Sequence, residues 1–192
     1  MKKKKSLIIG LVGLPGAGKT TVAKQLASKG FVHVTLSYFI KEEAKKDGIR
    51  EFSREVLQNY GNKMREAYGP QILAQLALKK IREEHPQKVV IDGVRNLYEV
   101  AFLKVENNFA LIGVSARPKN RYTRLTQRTD RVWKGTYTEF LRHEKREDTL
   151  GSRQTGLRVK ECFKQADFEI ENNSTLEDLS TATNVALKNI LR

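Results

Sequence analysis

Short apolar runs alternate with amphipathic stretches along almost the whole chain. Ser6–Val12 (SLIIGLV), Phe31–Leu36 (FVHVTL), Lys88–Asp92 (KVVID), Phe109–Ala116 (FALIGVSA) and Asp167–Glu171 read as strands. Near-continuous apolar runs of this length are typical of parallel strands covered on both faces. Between them the polar spacing predicts helices. Lys19–Lys29 stops at Gly30, and Tyr38–Asp47 stops at Gly48. Arg50–Tyr68 and Pro70–Glu84 are divided by Gly69-Pro70, Leu97–Val105 starts behind an Asn96 cap, and Pro118 opens Lys119–Arg128. Residues 129–137 break the pattern, Thr138–Asp148 is a charged helix, and Thr149–Gly156 looks loose. Leu157–Gln165 is helical, and Ser174 or Thr175 caps a terminal helix. The alternation predicts an α/β fold with five parallel strands between two helical layers.

Composition narrows the class. A chain of 192 residues argues for one domain, and 39% hydrophobic with 30% charged residues is a globular balance. No apolar run approaches the roughly 20 residues of a bilayer crossing, so no membrane partner is expected. Lys2–Lys5 ahead of Ser6–Val12 has a signal-peptide flavour, but the run leads straight into a glycine loop with no cleavage site. The one cysteine, Cys162, permits no intrachain disulfide, which fits a cytoplasmic location. His33, His85 and His143 are scattered without zinc-ligand spacing. Of the net +14, residues 2–5 contribute +4, and thirteen Lys/Arg against five Asp/Glu in residues 117–160 contribute +8. Positive charge gathered in a tail and one block suits an anionic ligand, either a polyphosphate or a nucleic acid.

The strongest chemical signal is Gly13-Leu14-Pro15-Gly16-Ala17-Gly18-Lys19-Thr20, with Thr21 following. Its glycines let successive N–H groups face phosphate oxygens, and the next helix aims its positive end at the same anion. Lys19 can reach β- and γ-phosphates, and Thr20 can offer its hydroxyl to Mg²⁺. Asp92 ends a buried strand, where a Mg²⁺-organising carboxylate belongs, and Arg95 follows three residues on. A capping turn is the plainer reading of Asp92. Arg117, Arg121, Arg124 and Arg128 are spaced four, three and four apart on one helical face. Such stacking is unfavourable unless an anion neutralises it, so Arg121, Arg124 and Arg128 are candidate phosphate clamps, or else the set is a solvated basic face. Arg65 alone reads as a surface ion pair with a helical Glu.

With these residues in view, the chain resembles the P-loop nucleoside- and nucleotide-monophosphate kinase superfamily. It looks most similar to the small adenylate-kinase-related and dephospho-CoA-kinase-like proteins. The resemblance spans roughly residues 6–190 and rests on GLPGAGKTTVAKQLA (13–27), TLSYFIKEEAKKDGI (35–49), GNKMREAYGP (61–70), VVIDGVRNLYEV (89–100) and ADFEIENNSTLEDL (166–179). It implies a three-layer αβα P-loop NTPase fold with a helical acceptor-binding insert and a C-terminal lid. One domain would then comprise a core (6–36, 88–116, 157–192), an insert (37–87) and a lid region (117–156).

By the same resemblance, Gly13, Pro15, Gly16, Ala17, Gly18, Lys19, Thr20 and Thr21 hold the nucleotide phosphates. Ser37 and Arg65 line the acceptor pocket, and Arg95 touches both acceptor and transferring phosphates. Arg121, Arg124 and Arg128 belong to the lid with Arg117 at its edge, and Asn172-Asn173 lies near the adenine. Tyr38 stands where relatives carry an acceptor-site carboxylate; it either stacks on a base or packs against the insert.

The implied activity is ATP–Mg²⁺-dependent phosphoryl transfer to a nucleoside monophosphate or similar nucleotide, with Lys19, Asp92, Arg95, Arg121, Arg124 and Arg128 as the catalytic set. Thr20 and Asp92 would be the metal ligands. Dephospho-CoA kinase is one alternative, although a hydroxyl acceptor would call for the acid absent at Tyr38. Another is a nucleotide-gated nucleic-acid-binding ATPase, against which stands the lack of a recognition helix or aromatic ladder. A third is a nucleotide binder that has lost turnover. A monomer or homodimer is expected.

Overall fold

The computed structural model describes residues 6–129, 132–147 and 156–192. The lysine tail at 1–5 and most of the loose stretch expected over 149–156 lie outside them. Five strands form one parallel sheet: β1 (Leu7–Val12), β2 (Val32–Thr35), β3 (Lys88–Asp92), β4 (Phe109–Ser115) and β5 (Phe168–Glu171), in the order β2-β3-β1-β4-β5. β1 is central, with Gly10 beside Ile91 on one flank and Leu111 on the other. Alternate residues of β1 enter opposite layers. Ile9 and Leu11 face one core and Ile8 and Val12 the other, all at most 4% exposed, which is why the strand reads as uninterrupted apolar.

On one face lie α1 (Lys19–Ala27) and α9 (Leu176–Ile190), which bury Val22, Ala23, Leu26, Leu179 and Ala186. The other face is covered by α5 (Leu97–Lys104), α8 (Val159–Phe163) and the helices that follow β2. These are α2 (Leu36–Lys46), α3 (Arg54–Tyr68) and α4 (Ile72–Glu84). The three-layer architecture therefore matches the expectation. The remaining helices, α6 (Pro118–Thr126) and α7 (Tyr137–Glu147), pack on each other through Tyr122, Tyr137 and Phe140. None of the helices among the described residues is long and apolar enough to cross a membrane.

Several element boundaries differ from the expectation, one of them through a side-chain cap. α3 begins at Arg54 instead of Arg50 because the Ser53 side chain accepts from Val56 N. α2 starts at Leu36, two residues earlier than expected, which puts Ser37 and Tyr38 in its first turn. α6 ends at Thr126, so Arg128 lies beyond it and does not share one helical face with Arg121 and Arg124. α8 is shorter than the predicted Leu157–Gln165 helix.

Candidate functional site

The site gathers at the C-terminal ends of β1, β3 and β4, where an open parallel sheet places ligands. The chain leaves β1 through Gly13, Gly16 and Gly18, whose φ values are 152, 78 and 111°. Space as well as conformation demands glycine at the first position, since a Cβ on Gly13 would stand 2.1 Å from the Val114 carbonyl oxygen. Gly18 is the N-cap of α1 and brings no side chain to the first-turn N–H groups, which leaves that positive helix end to an anion. Lys19 is 8% exposed, and its Nζ donates to the carbonyls of Gly13 (2.7 Å) and Leu14 (3.3 Å). The ammonium is thus held over its own loop, and Ala17 is buried beneath it. Pro15 in the loop and Thr21 in the first turn of α1 are half-buried.

Thr20 Oγ1 lies 3.5 Å from Asp92 Oδ2 across the gap between α1 and β3. A hydroxyl and a carboxylate oxygen beside a phosphate loop are the hard donors that Mg²⁺ accepts, with phosphates and waters completing its shell. These two residues therefore fit the ion. His33 Nε2 stands 3.9 Å from the same Asp92 oxygen, a neighbour that spacing in the sequence gave no hint of. Arg95 follows Gly93 (φ 96°) and is half-buried.

The arginines of α6 are not equivalent. Arg121 is 4% exposed, donates through Nε to Ala116 O (2.9 Å), pairs with both carboxylate oxygens of Glu144, and lies over the Phe140 ring. Glu144 balances its charge, so its neighbourhood is built into the α6–α7 packing. Arg124 instead reaches the phosphate loop: Nη1 donates to Gly16 O (3.3 Å), and Nη2 to Asn172 O (2.9 Å) and Oδ1 (3.2 Å). Partial burial lowers both guanidinium pKa values. Asn172 is itself buried and donates from Nδ2 to Ala17 O at 2.8 Å. Asn173 Oδ1 accepts from Arg117 N at 2.7 Å, which fixes the N-terminus of α6. Asn172 and Asn173 thus use side chains as well as backbone to join the loop after β5 to the phosphate loop and α6.

On the insert side, Tyr38 is 45% exposed, edge-on to Phe39 and under Lys80 Nζ. Ser37 is half-buried beside it. Arg65 departs most from expectation. It is neither at the surface nor on an open pocket wall but 4% exposed, with Nε (3.1 Å) and Nη2 (2.7 Å) donating to Glu99 Oε1. A fully buried carboxylate needs a counter-charge, and Arg65 supplies it. Glu99 and Glu144 are the residues that sequence reasoning missed. The Asn96-x-x-Glu99 spacing signals a capping box, whereas nothing local signals the ion pair. An apolar cavity of about 300 Å³ adjoins the loop on the α8 side, between Leu14, Val114, Val159 and Phe163.

Known proteins share the sequence family and the fold. A family model described as an AAA domain matches residues 9–150. A UPF0200 protein of Sulfurisphaera tokodaii is 32% identical over 184 residues, covering 96% of this chain and 97% of its own. UPF0200 protein PH1008 of Pyrococcus horikoshii is 33% identical over 190 residues, covering 96% and 98%. Among solved structures, TT1252 from Thermus thermophilus aligns with a TM-score of 0.64 at 22% identity, over 97% of this chain and 98% of that one. Shikimate kinase from Acinetobacter baumannii, in complex with shikimate, aligns with a TM-score of 0.57 at 18% identity, over 98% and 94%. At those identities the structural likeness speaks to the fold alone. With a glycine loop of this geometry on a five-stranded parallel sheet, and with relatives matched end to end, the chain belongs to the UPF0200 family, in the AAA-domain group of P-loop proteins with a small-kinase fold.

Proposed function

We propose that this protein is a phosphotransferase that moves the γ-phosphoryl group of ATP, in the presence of Mg²⁺, to a phosphate-bearing acceptor such as a nucleoside monophosphate. The observation that carries the reading is the meeting of Lys19, Thr20 and Asp92 at one sheet edge, with Arg95 three residues beyond Asp92. Three helices, α2 to α4, stand between β2 and β3 and supply the chain from which an acceptor pocket would be built. Solved neighbours titled shikimate kinase provide a kinase precedent in the same fold.

In the proposed mechanism, Lys19 leaves the carbonyls of Gly13 and Leu14 for the β- and γ-phosphate oxygens, while loop N–H groups and the α1 N-terminus hold the rest of the triphosphate. Thr20 and Asp92 would hold Mg²⁺, which would supply charge neutralisation to the phosphate oxygens. Arg95 orients the acceptor phosphate and offsets charge on the group in flight, with Arg124 and Arg128 on the lid side. Arg121 supports them by keeping α6 on α7. An acceptor phosphate is already an oxyanion, so positioning and electrostatics suffice without a general base, consistent with a tyrosine at position 38.

The test is γ-labelled ATP with Mg²⁺ and a panel of ribo- and deoxynucleoside monophosphates plus dephospho-CoA. Label is expected in one class of monophosphate, and Lys19→Ala should lower turnover by about 10²–10³-fold. Transfer to dephospho-CoA alone would replace the phosphate acceptor by a hydroxyl one. Transfer to no acceptor, or a fully active Lys19→Ala variant, would overturn the reading.

A further inference from the structure

We propose that Glu99 is the positioning residue of this site: through its ion pair with Arg65 it holds Arg95 in place and ties that arginine to the seating of the insert. The proposal rests on the phosphotransferase reading for what Arg95 does, and on geometry for how it is held. Glu99 is 0% exposed and each carboxylate oxygen accepts twice. Oε1 takes Arg65 Nε and Nη2 at 3.1 and 2.7 Å. Oε2 takes the backbone N–H groups of Arg95 and Asn96 at 3.0 and 3.2 Å.

Helix capping does not require this. A solvent-exposed Glu, or a neutral Gln, can close a capping box. Burying the ionised group is costly, and the cost is offset only because an arginine arrives from a helix 34 residues away. The chain makes a second local sacrifice at the same spot. Gly61 sits inside α3, where glycine is a poor helix former. A Cβ there would stand 3.1 Å from Ile40 Cδ1 and 3.3 Å from Arg65 Nη1, so the missing side chain leaves room for Ile40 and the guanidinium together. A buried ion pair that capping does not need points to a role beyond stability.

What the pair holds is the Arg95 peptide. Its N–H goes to Glu99, while its carbonyl accepts from Arg158 N at 2.9 Å. Next to it, Asn96 is fully buried and its Nδ2 donates to Gly156 O at 3.0 Å. The Arg95–Asn96 turn is therefore clamped between α3, through Arg65 and Glu99, and the segment that enters α8. A shift of α3 on acceptor binding would reach Arg95 through a single rigid carboxylate.

The experiment compares Glu99→Met, Arg65→Met and the double variant with the parent protein. Each single change leaves a buried charge or donor unpaired and should lower the thermal midpoint. The double variant leaves no unpaired charge and should regain part of that loss, the Arg95 and Asn96 N–H groups still lacking their acceptor. Even so, its kcat for transfer is expected to stay at least about 30-fold below the parent, with MgATP affinity in the absence of acceptor within about twofold, as one interaction lost from transition-state positioning predicts. Recovery of kcat together with the midpoint would make the pair merely structural and overturn the proposal. A rise in acceptor KM with kcat unchanged would make Arg65 an acceptor ligand instead, and would overturn it equally. Amide exchange needs no turnover: the Arg95, Asn96 and Arg158 N–H groups should exchange at least about tenfold faster in the double variant, with the phosphate loop unchanged. Unchanged protection there would sink the proposal even if the protein is an active kinase. Accelerated exchange in a protein that transfers no phosphate would leave the clamp standing and remove the kinase reading.

Discussion

An alanine at position 13 would bring its Cβ within 2.1 Å of the Val114 carbonyl oxygen at a φ of 152°, and neither β1 nor β4 can yield without losing register. Gly13→Ala is therefore expected to cost at least about 2 kcal/mol in a denaturant titration and to weaken nucleotide binding. A variant with parental stability would show that the loop is softer than its packing implies. Cys162 makes the opposite kind of prediction. Burial, with Glu99 and Glu161 nearby, pushes its thiol far above the ordinary range, so it stays protonated and should resist alkylation at pH 8 until denaturant is added. Labelling of the native protein as fast as the unfolded chain would contradict this. The sequence made Gly13–Thr20 and Asp92 legible because their chemistry lies in consecutive residues or at a strand end. It could not reveal that Arg65 answers to Glu99 or Arg121 to Glu144, since those partners meet only once α3 packs near α5 and α6 on α7.

Whole strands and helices were readable to within a few residues, because burial on both faces of the sheet writes itself as apolar runs and helix stops as Gly or caps. One misplacement, the start of α3, traces to a short-range hydrogen bond that periodicity does not see, the Ser53 cap. The terminal helix shows how much one cap does. Thr175 Oγ1 accepts from Asp178 N (3.1 Å) while Asp178 Oδ2 accepts from both Thr175 N–H and Oγ1–H, a complete capping box. Thr175→Val should lower stability by about 1 kcal/mol. The hydrogen bonds from Thr175 depress the Asp178 pKa below its ordinary value. Its contribution is therefore present above the ordinary carboxylate range and is lost as pH falls through the depressed value. Thermal midpoints measured from pH 6 down to pH 2 should show the parent falling more than Thr175→Val. Parallel curves would mean that the box does not persist in solution.

At the scale of the molecule, α6 and α7 form a small aromatic body beside the phosphate loop, joined to it by Arg124 on Gly16 and Asn172. The chain's single tryptophan, Trp133, packs edge-on to Phe140 (5.9 Å) and His143 (5.2 Å) in that body. Loading the loop with MgATP should therefore change Trp133 emission with a saturable dependence, and Lys19→Ala should abolish the change. Unchanged emission alongside calorimetrically proven binding would mean that the body does not respond to the nucleotide.

Asn172 has a further consequence. Its bond to Ala17 O spans 155 positions, so the loop at one end of the chain is braced by a residue near the other. During synthesis β1 can find β3 and β4 early, yet the phosphate site is finished only when the strand preceding Asn172 has docked on the sheet edge. A nucleotide that binds the native state stabilises it by mass action. In a cell, the abundant nucleotide pool would then act as a proofreader of manufacture, protecting chains that have reached β5 and leaving prematurely ended ones to the proteases.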